Sequence, residues 1–246
     1  MRQLRKLEDL TGYHLHARDG EIGKLKQVYF DDQHWTVRYF VVHTGTWLLG
    51  RDVLIAPATV TAIDEENKRI EVDLTQEQIK NSPPVESEKT VSRHYEEELI
   101  RHYQWERYWI DATLYGVPQL PEGERSSKAR FSEKPEHPHL RSSSEVKKYK
   151  IHALDGGIGH VADYILEEPG WVIRYVEVAT RDFLSGRHIL IAPDWVREID
   201  WADNTVSVDL VRDTIEKAPP YDLSMIISRG YLAKLYTHYG KELEED

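Results

Sequence analysis

An ungapped internal repeat constrains this chain more than any other feature of its sequence. Residues 35–57 read WTVRYFVVHTGTWLLGRDVLIAP, and 136 positions later residues 171–193 read WVIRYVEVATRDFLSGRHILIAP. The correspondence extends from Tyr13 to Tyr103 of the first copy, and about a third of the paired positions are identical, far above chance. Such a repeat predicts two similar domains of roughly 100 residues each.

The composition changes between the two copies. Residues 110–145 combine four prolines with serine, glycine and charged residues, a mixture typical of linkers. The sequence therefore predicts a first repeat with a trailing helix over 1–109, a linker over 110–145, and a second repeat with a trailing helix over 146–246.

Within each repeat, short runs of aromatic and β-branched residues alternate with turn residues such as Asp19-Gly20 and Gly45. Turns at intervals of roughly 8–12 residues are typical of small closed barrels and sandwiches. The predicted fold class is mainly β with short helices: two tandem small β-barrels, each followed by a helix, forming a pseudo-two-fold pair. Two independent domains joined by a flexible linker are the alternative.

Two helical segments are expected after the strands of the first repeat. Thr75 and Gln78 fit a capping box. A longer helix is expected from Ser92, because helical spacing gives it an apolar face of Tyr95, Leu99, His102 and Tyr103. The glutamates at 96–98 are not repeated in the second copy, so we expect them to be solvated.

Three features together resemble the PRC-barrel family. They are the Asp-Gly-x-Ile-Gly turn at 19–23, the core at 35–57, and Val-Ser-Arg at 91–93, and both copies carry the pattern. The family includes the cytoplasmic domain of the photosynthetic reaction centre H subunit and the C-terminal domain of a ribosome maturation factor. The resemblance implies a small β-barrel that serves as a binding or assembly platform, with no common catalytic residues.

Composition narrows the classes of function. The absence of cysteine excludes disulfides, thiolate catalysis and cysteine-ligated metals. The formal net charge of −11 disfavours nucleic acid as a partner. No apolar run is long enough to span a bilayer and the N-terminus lacks a signal peptide, so we expect a cytoplasmic protein. Peripheral membrane association stays open.

The motifs of catalysis and cofactor binding are missing. The Gly-Gly-Ile-Gly run at 156–159 is not followed by a long helix, so it indicates a turn and not a phosphate-binding loop. His14 and His16 have strand spacing, but the second copy has lysine in place of the first histidine, which argues against a metal site. The chain is therefore predicted to be a non-enzyme with no metal and no cofactor.

Repeated arginines and aromatic residues are the remaining candidates. Each arginine is expected to be structural, stacked on Trp35 or Trp171 or paired with Asp73 or Asp209; a role in binding a partner is the alternative. The aromatic residues are candidates for the surface that pairs the two barrels. The candidate interaction or structural residues are Arg38, Arg51, Arg174, Arg187, Tyr103, Trp105, Tyr108, Trp109 and Tyr239.

The function that this pattern favours is a non-enzymatic protein-interaction or assembly module of tandem PRC-barrel type. An accessory factor of a photosynthetic or respiratory membrane complex, similar to the reaction centre H subunit, is one alternative. A ribosome-maturation-like factor is a second alternative. A protein partner is expected, but the sequence does not identify it.

Overall fold

The computed structural model describes residues 3–85, 91–108, 140–180, 187–222 and 227–243. Within these ranges the chain is mainly β with short helices, as predicted. It divides into two compact units. The repeat-1 unit comprises Leu10–Ser143 with Gly170–Val172, and the repeat-2 unit comprises Met1–Asp9, Ser144–Pro169 and Ile173–Asp246.

The repeat-1 unit is built on one sheet in which strands follow the order β5-β4-β3-β2-β7-β6, with β8 added to β3. All neighbours are antiparallel except β2 and β7. The strands are β2 (His14–Ala17), β3 (Gly20–Asp31), β4 (Thr36–His43), β5 (Asp52–Ile55), β6 (Val60–Asp64), β7 (Arg69–Val72) and β8 (Leu140–Ser142). Helices α2 (Gln76–Lys80) and α3 (Arg93–Tyr103) follow β7.

The repeat-2 unit has the corresponding strand order β12-β11-β10-β9-β14-β13, with β1 added to β10. Its strands are β1 (Gln3–Lys6), β9 (Lys150–Ala153), β10 (Gly156–Glu168), β11 (Val172–Thr180), β12 (His188–Ile191), β13 (Val196–Asp200) and β14 (Thr205–Val208). Its helices are α4 (Ser143–Val146), α5 (Arg212–Glu216) and α6 (Arg229–Tyr239); α1 (Leu7–Leu10) links β1 to the first repeat.

Neither sheet closes on itself by strand pairing within the described residues. In the repeat-1 unit, the terminal strands β5 and β6 do not pair with each other. In the repeat-2 unit, the terminal strands β12 and β13 do not pair with each other either. The prediction of closed barrels therefore needs this correction. The short 3-10 turns at Pro57–Thr59 and Pro193–Trp195 lie between these strands, and proline, which lacks an N–H, begins each turn where a ladder would otherwise continue.

The Asp-Gly turn explains how strand and helix meet in both units. Asp19 Oδ1 accepts a hydrogen bond of 2.8 Å from the Gln76 amide at the start of α2, and Asp155 does the same for Arg212 at the start of α5. An acidic side chain at a helix N-terminus satisfies an otherwise unpaired amide and complements the helix dipole. The predicted capping box at Thr75 is confirmed and adds a second cap to α2.

One glycine of the same motif is required by the close approach of two strands. A Cβ atom at Gly23 would overlap the carbonyl oxygen of His43 on β4, and one at Gly159 would overlap that of Ala179 on β11. The backbone of a neighbouring strand cannot move aside as a side chain can, so only glycine fits at these two positions.

Each unit includes a strand that precedes the other repeat in the chain. β1 pairs antiparallel with β10, with Gln3 opposite Glu168 and Lys6 opposite Ile165. β8 pairs in the same way with β3, and Ser142 lies opposite Tyr29. We call β1 and β8 the lead strands, because each occupies the same position before its repeat. Residues 140–145 of the predicted linker thus lie in β8 and α4.

Candidate functional site

Two of the repeated arginines brace the ends of short helices. Arg51 donates to the carbonyl oxygens of Ile79 and Ser82 at 3.0 Å each. Arg187 donates to the carbonyl oxygens of Glu216 and Ala218, also at 3.0 Å. The last carbonyls of a helix have no partner within the helix, so a guanidinium there satisfies them and complements the dipole. These arginines bind backbone oxygens and not the predicted carboxylates.

The other two arginines face a carboxylate on the neighbouring strand. Arg174 forms a bidentate pair with Glu167, at 2.8 and 2.9 Å, and Arg38 lies 3.2 Å from Asp31. The predicted partners were Asp73 and Asp209; Asp73 instead pairs with Arg18.

The two tryptophans proposed as stacking partners pack elsewhere. Trp35 stacks on Phe30 at 5.6 Å between ring centroids, and Trp171 meets Phe40 edge-on at 4.8 Å. The aromatic ring that Arg38 contacts is that of Tyr108, with the guanidinium carbon 4.1 Å from the ring centroid. This contact is a cation–π interaction.

A buried carboxylate is the centre of the most unusual site in the repeat-1 unit. Glu96 on α3 is only 2% exposed, so the prediction that it is solvated was wrong. Its Oε1 accepts hydrogen bonds from the hydroxyls of Tyr108 at 2.7 Å and Tyr39 at 3.3 Å. Its Oε2 lies 3.0 Å from Arg93 Nη1. We call Arg38, Tyr39, Arg93, Glu96 and Tyr108 the Glu96 cluster.

The environment of the Glu96 cluster changes the acidity of its members. Burial raises the pKa of Glu96 from 4.5 to about 7, although the hydrogen bond from Tyr108 and the charge of Arg93 oppose this change. Burial and the charge of Glu96 raise the pKa of Tyr39 and Tyr108 well above the usual value. Both phenols therefore act as hydrogen-bond donors to Glu96.

Asp31, beside the cluster, behaves in the opposite way. Burial alone would raise its pKa, but the hydrogen bond from His34 and the charge of Arg38 lower the pKa of Asp31 to about 2. The pKa values of Asp31 and Glu96 therefore differ by about five units, and of these two carboxylates it is Glu96 that titrates near neutral pH.

The second repeat has no equivalent of the Glu96 cluster among its described residues. Leu232 stands at the position of Glu96, and Tyr236 stands at that of Ile100. The Tyr236 hydroxyl lies 3.5 Å from that of Tyr175, and its ring packs on Trp195 at 5.3 Å. The leucine at the aligned position was the available signal that residue 96 belongs to the buried face of its helix.

The remaining aromatic candidates are packed within their own units. Tyr103 stacks on Trp105 at 4.2 Å, and Trp105 lies 6.3 Å from Tyr39. Tyr239 packs on Trp195 at 4.6 Å. Tyr103 and Tyr239 are both buried. Trp109 lies outside the described residues.

The edges that accept the lead strands form a second candidate site, which the sequence did not reveal. Arg5 Nε lies 2.7 Å from Glu168 Oε1 beside β10, and Arg141 Nε lies 2.9 Å from Asp32 Oδ2 beside β3. An arginine–carboxylate pair thus accompanies the main-chain ladder at each edge. The ladder gives affinity and the side-chain pair favours one register.

Across the described ranges, histidine, aspartate and glutamate nowhere form a group of three that could hold a metal ion. His14, one of the two histidines with strand spacing, is hydrogen-bonded to Glu21 at 2.6 Å. Residues 156–159 lie in β10. In the described part of the chain, no helix is long and apolar enough to cross a membrane.

Part of the chain matches a known protein family. Residues 6–79 match the family model of the PRC-barrel domain. This match covers β2 to β7 and the greater part of α2. No curated protein sequence matches the chain.

Proposed function

Residues 6–79 match the PRC-barrel domain, and from this match we propose that the chain is a non-enzymatic protein-interaction or assembly module. The observation that carries the proposal is the capture of a lead strand by each unit. β10 holds β1, and β3 holds β8, by antiparallel pairing of the backbone. Adding an extended segment to a sheet is a common mode of protein recognition.

The chemistry of the sites supports binding over turnover. The repeated arginines bind carbonyls or single carboxylates and hold the fold together. The Glu96 carboxylate is buried, and the tyrosine and arginine side chains of the Glu96 cluster already bind it. A general acid or base must reach a substrate, and Glu96 is too buried to do so.

The second repeat extends this proposal to a tandem module. Its strand order matches that of the first repeat, and Trp35 and Lys68, with positive φ, have counterparts of the same conformation at Trp171 and Asn204. We further propose that the two units form a pseudo-two-fold pair. Small-angle scattering tests it: a compact pair has a radius of gyration of about 18 Å, and a much larger value means two independent domains.

The test of the main proposal is capture of a partner by the full-length chain. The tagged chain is incubated with cell extract, retained proteins are identified by mass spectrometry, and each candidate is then purified and titrated into the chain by calorimetry. Direct, saturable binding of one protein at micromolar affinity or better is expected. Excess untagged chain should abolish the capture, which serves as the control.

The alternative functions give different outcomes in the same experiment. A partner in a photosynthetic or respiratory complex would be retained from the detergent-solubilised membrane fraction. A ribosome-maturation role would show binding to a ribosomal protein, or binding to RNA that weakens steeply with salt. Failure of every purified candidate to bind directly would overturn the proposal of a protein-interaction module.

A further inference from the structure

The two lead strands share a central Leu-Arg pair but bind different edges. Residues 3–6 read QLRK and residues 139–142 read HLRS. The shared arginine makes the same kind of contact in both units, to Glu168 from Arg5 and to Asp32 from Arg141. These shared contacts cannot distinguish one lead strand from the other.

The two lead strands differ at one buried position, which is Lys6 in β1 and Ser142 in β8. Lys6 is 9% exposed, and its Nζ lies 3.1 Å from Glu177 Oε2. Glu177 is 1% exposed, and His188 Nδ1 contacts its other oxygen at 2.5 Å. A second buried carboxylate, Asp163, accepts from the Glu8 amide at 3.0 Å, just beyond the lead strand, and is paired with Lys147 Nζ at 2.8 Å. The β10 edge therefore presents an acidic socket to the incoming strand.

The β3 edge presents a neutral socket at the same place. Ser142 Oγ donates to Gln27 Oε1 at 2.5 Å, and Gln27 stands where the other unit has Asp163. Val41, which is 2% exposed, stands where the other unit has Glu177. At the position of His188, Asp52 is already engaged by Lys26 at 2.9 Å and by His43 at 2.8 Å.

Each lead strand would fit poorly at the other edge. Lys6 in the neutral socket would bury an ammonium group beside Val41 and Gln27. Ser142 in the acidic socket would leave Glu177 without its lysine. Breaking a buried pair by removing one partner is strongly destabilising, because the remaining charge stays out of water.

The β10 edge already holds this chain's own β1, and we propose that the Lys6–Glu177 pair assigns this strand of Leu-Arg-Lys type to the β10 edge and not to the β3 edge. This inference refines the proposed strand-capture function. Its test measures how firmly the lead strands β1 and β8 are bound within the purified chain. Failure of the test therefore leaves the search for an external partner unaffected.

The first experiment transplants the pair into the other edge of the full-length chain. Native-state hydrogen exchange is measured at the amides of β8 in the single variants Ser142→Lys and Val41→Glu and in the double variant. Each single variant should lower the protection of β8 at least tenfold, because each buries an unpaired charge. The double variant should recover to within a few-fold of the unmodified chain, because lysine and glutamate are then paired.

The second experiment removes the pair from its native edge. Lys6→Ser, Glu177→Gln and their combination are compared at the amides of β1, and the amides of β8 serve as the internal control. Lys6→Ser should lower the protection of β1 at least tenfold, and the double variant should be less affected than the product of the two single effects. If Val41→Glu prevents folding, the Lys6/Glu177 double-mutant cycle alone decides the question. If the protection lost in each double variant equals the product of the losses in its two single variants, in every cycle that can be measured, the proposal is overturned.

Discussion

The buried carboxylate of Glu96 makes the stability of this protein depend on pH near neutrality. In the unfolded chain the pKa of a glutamate is 4.5, and in the folded protein burial raises the pKa of Glu96 to about 7. The folded state therefore binds the proton more tightly. The resulting stabilisation is complete below pH 4.5 and is lost as the pH rises through 7.

The size of the effect follows from the shift. A difference of roughly 2.5 pKa units corresponds to about 3 kcal/mol in the free energy of unfolding. About 2.5 kcal/mol of this falls between pH 5 and pH 8. Asp31 does not contribute in that window, because its pKa of about 2 lies well below it.

The assay is urea unfolding of the wild type and of Glu96→Gln at several pH values from 5 to 8, followed by tryptophan fluorescence. Glutamine can still accept hydrogen bonds from Tyr39 and Tyr108 but does not titrate. The unfolding free energy of the wild type should therefore fall by about 2.5 kcal/mol relative to the variant as the pH rises. Taking the difference cancels other titrating groups, including Asp163, whose pKa burial also raises.

A matched control is available one residue along the same helix. Glu97→Gln removes the carboxylate of a half-exposed neighbour on the same helix and is measured alongside Glu96→Gln. Carboxyl carbon NMR of Glu96 gives a direct second measurement of its pKa. A wild-type-minus-variant difference that stays constant to within about 0.5 kcal/mol from pH 5 to pH 8 would refute this reasoning.

Three further outcomes are expected. Arg51→Ala should lower the free energy of unfolding by about 2–3 kcal/mol in chemical denaturation, because it leaves the carbonyls of Ile79 and Ser82 without their charged donor; an unchanged midpoint would contradict the helix-bracing role. Gly23→Ala should destabilise the protein by more than about 2 kcal/mol, because the added methyl overlaps a strand backbone, whereas Gly157→Ala, which meets only a side-chain atom at 3.9 Å, should stay within about 0.5 kcal/mol. Limited proteolysis should cut first within residues 120–139, whose composition is that of a linker; early cleavage within 35–57 would contradict the domain boundaries.

Local pattern was sufficient to predict the elements of each repeat. Runs of β-branched and aromatic residues predicted the strands, because side chains alternate across a pleated sheet. Thr75 and Ser92 predicted the starts of α2 and α3, and both cap their helices as expected. These interactions span three residues at most, so they can be read from the neighbouring sequence alone.

The Glu96 cluster shows where local pattern was insufficient. Three consecutive glutamates outside the four-residue apolar face suggested a solvated side of the helix. The structure buries the first of them, because Tyr39 on a distant strand and Tyr108 beyond the helix end supply the donors that a buried carboxylate needs. Only the tertiary arrangement brings those donors to Glu96.

The lead strands show the same limit at the scale of topology. The repeat determined that both copies would have one strand order, and this is what the two units show. It did not determine which edge each lead strand would join, because QLRK and HLRS share the same Leu-Arg centre and neither local pattern specifies an edge. Strand pairing is a contact between residues far apart in the chain, so the edge of β10 and its buried Glu177 became partners of Lys6 only in the folded structure.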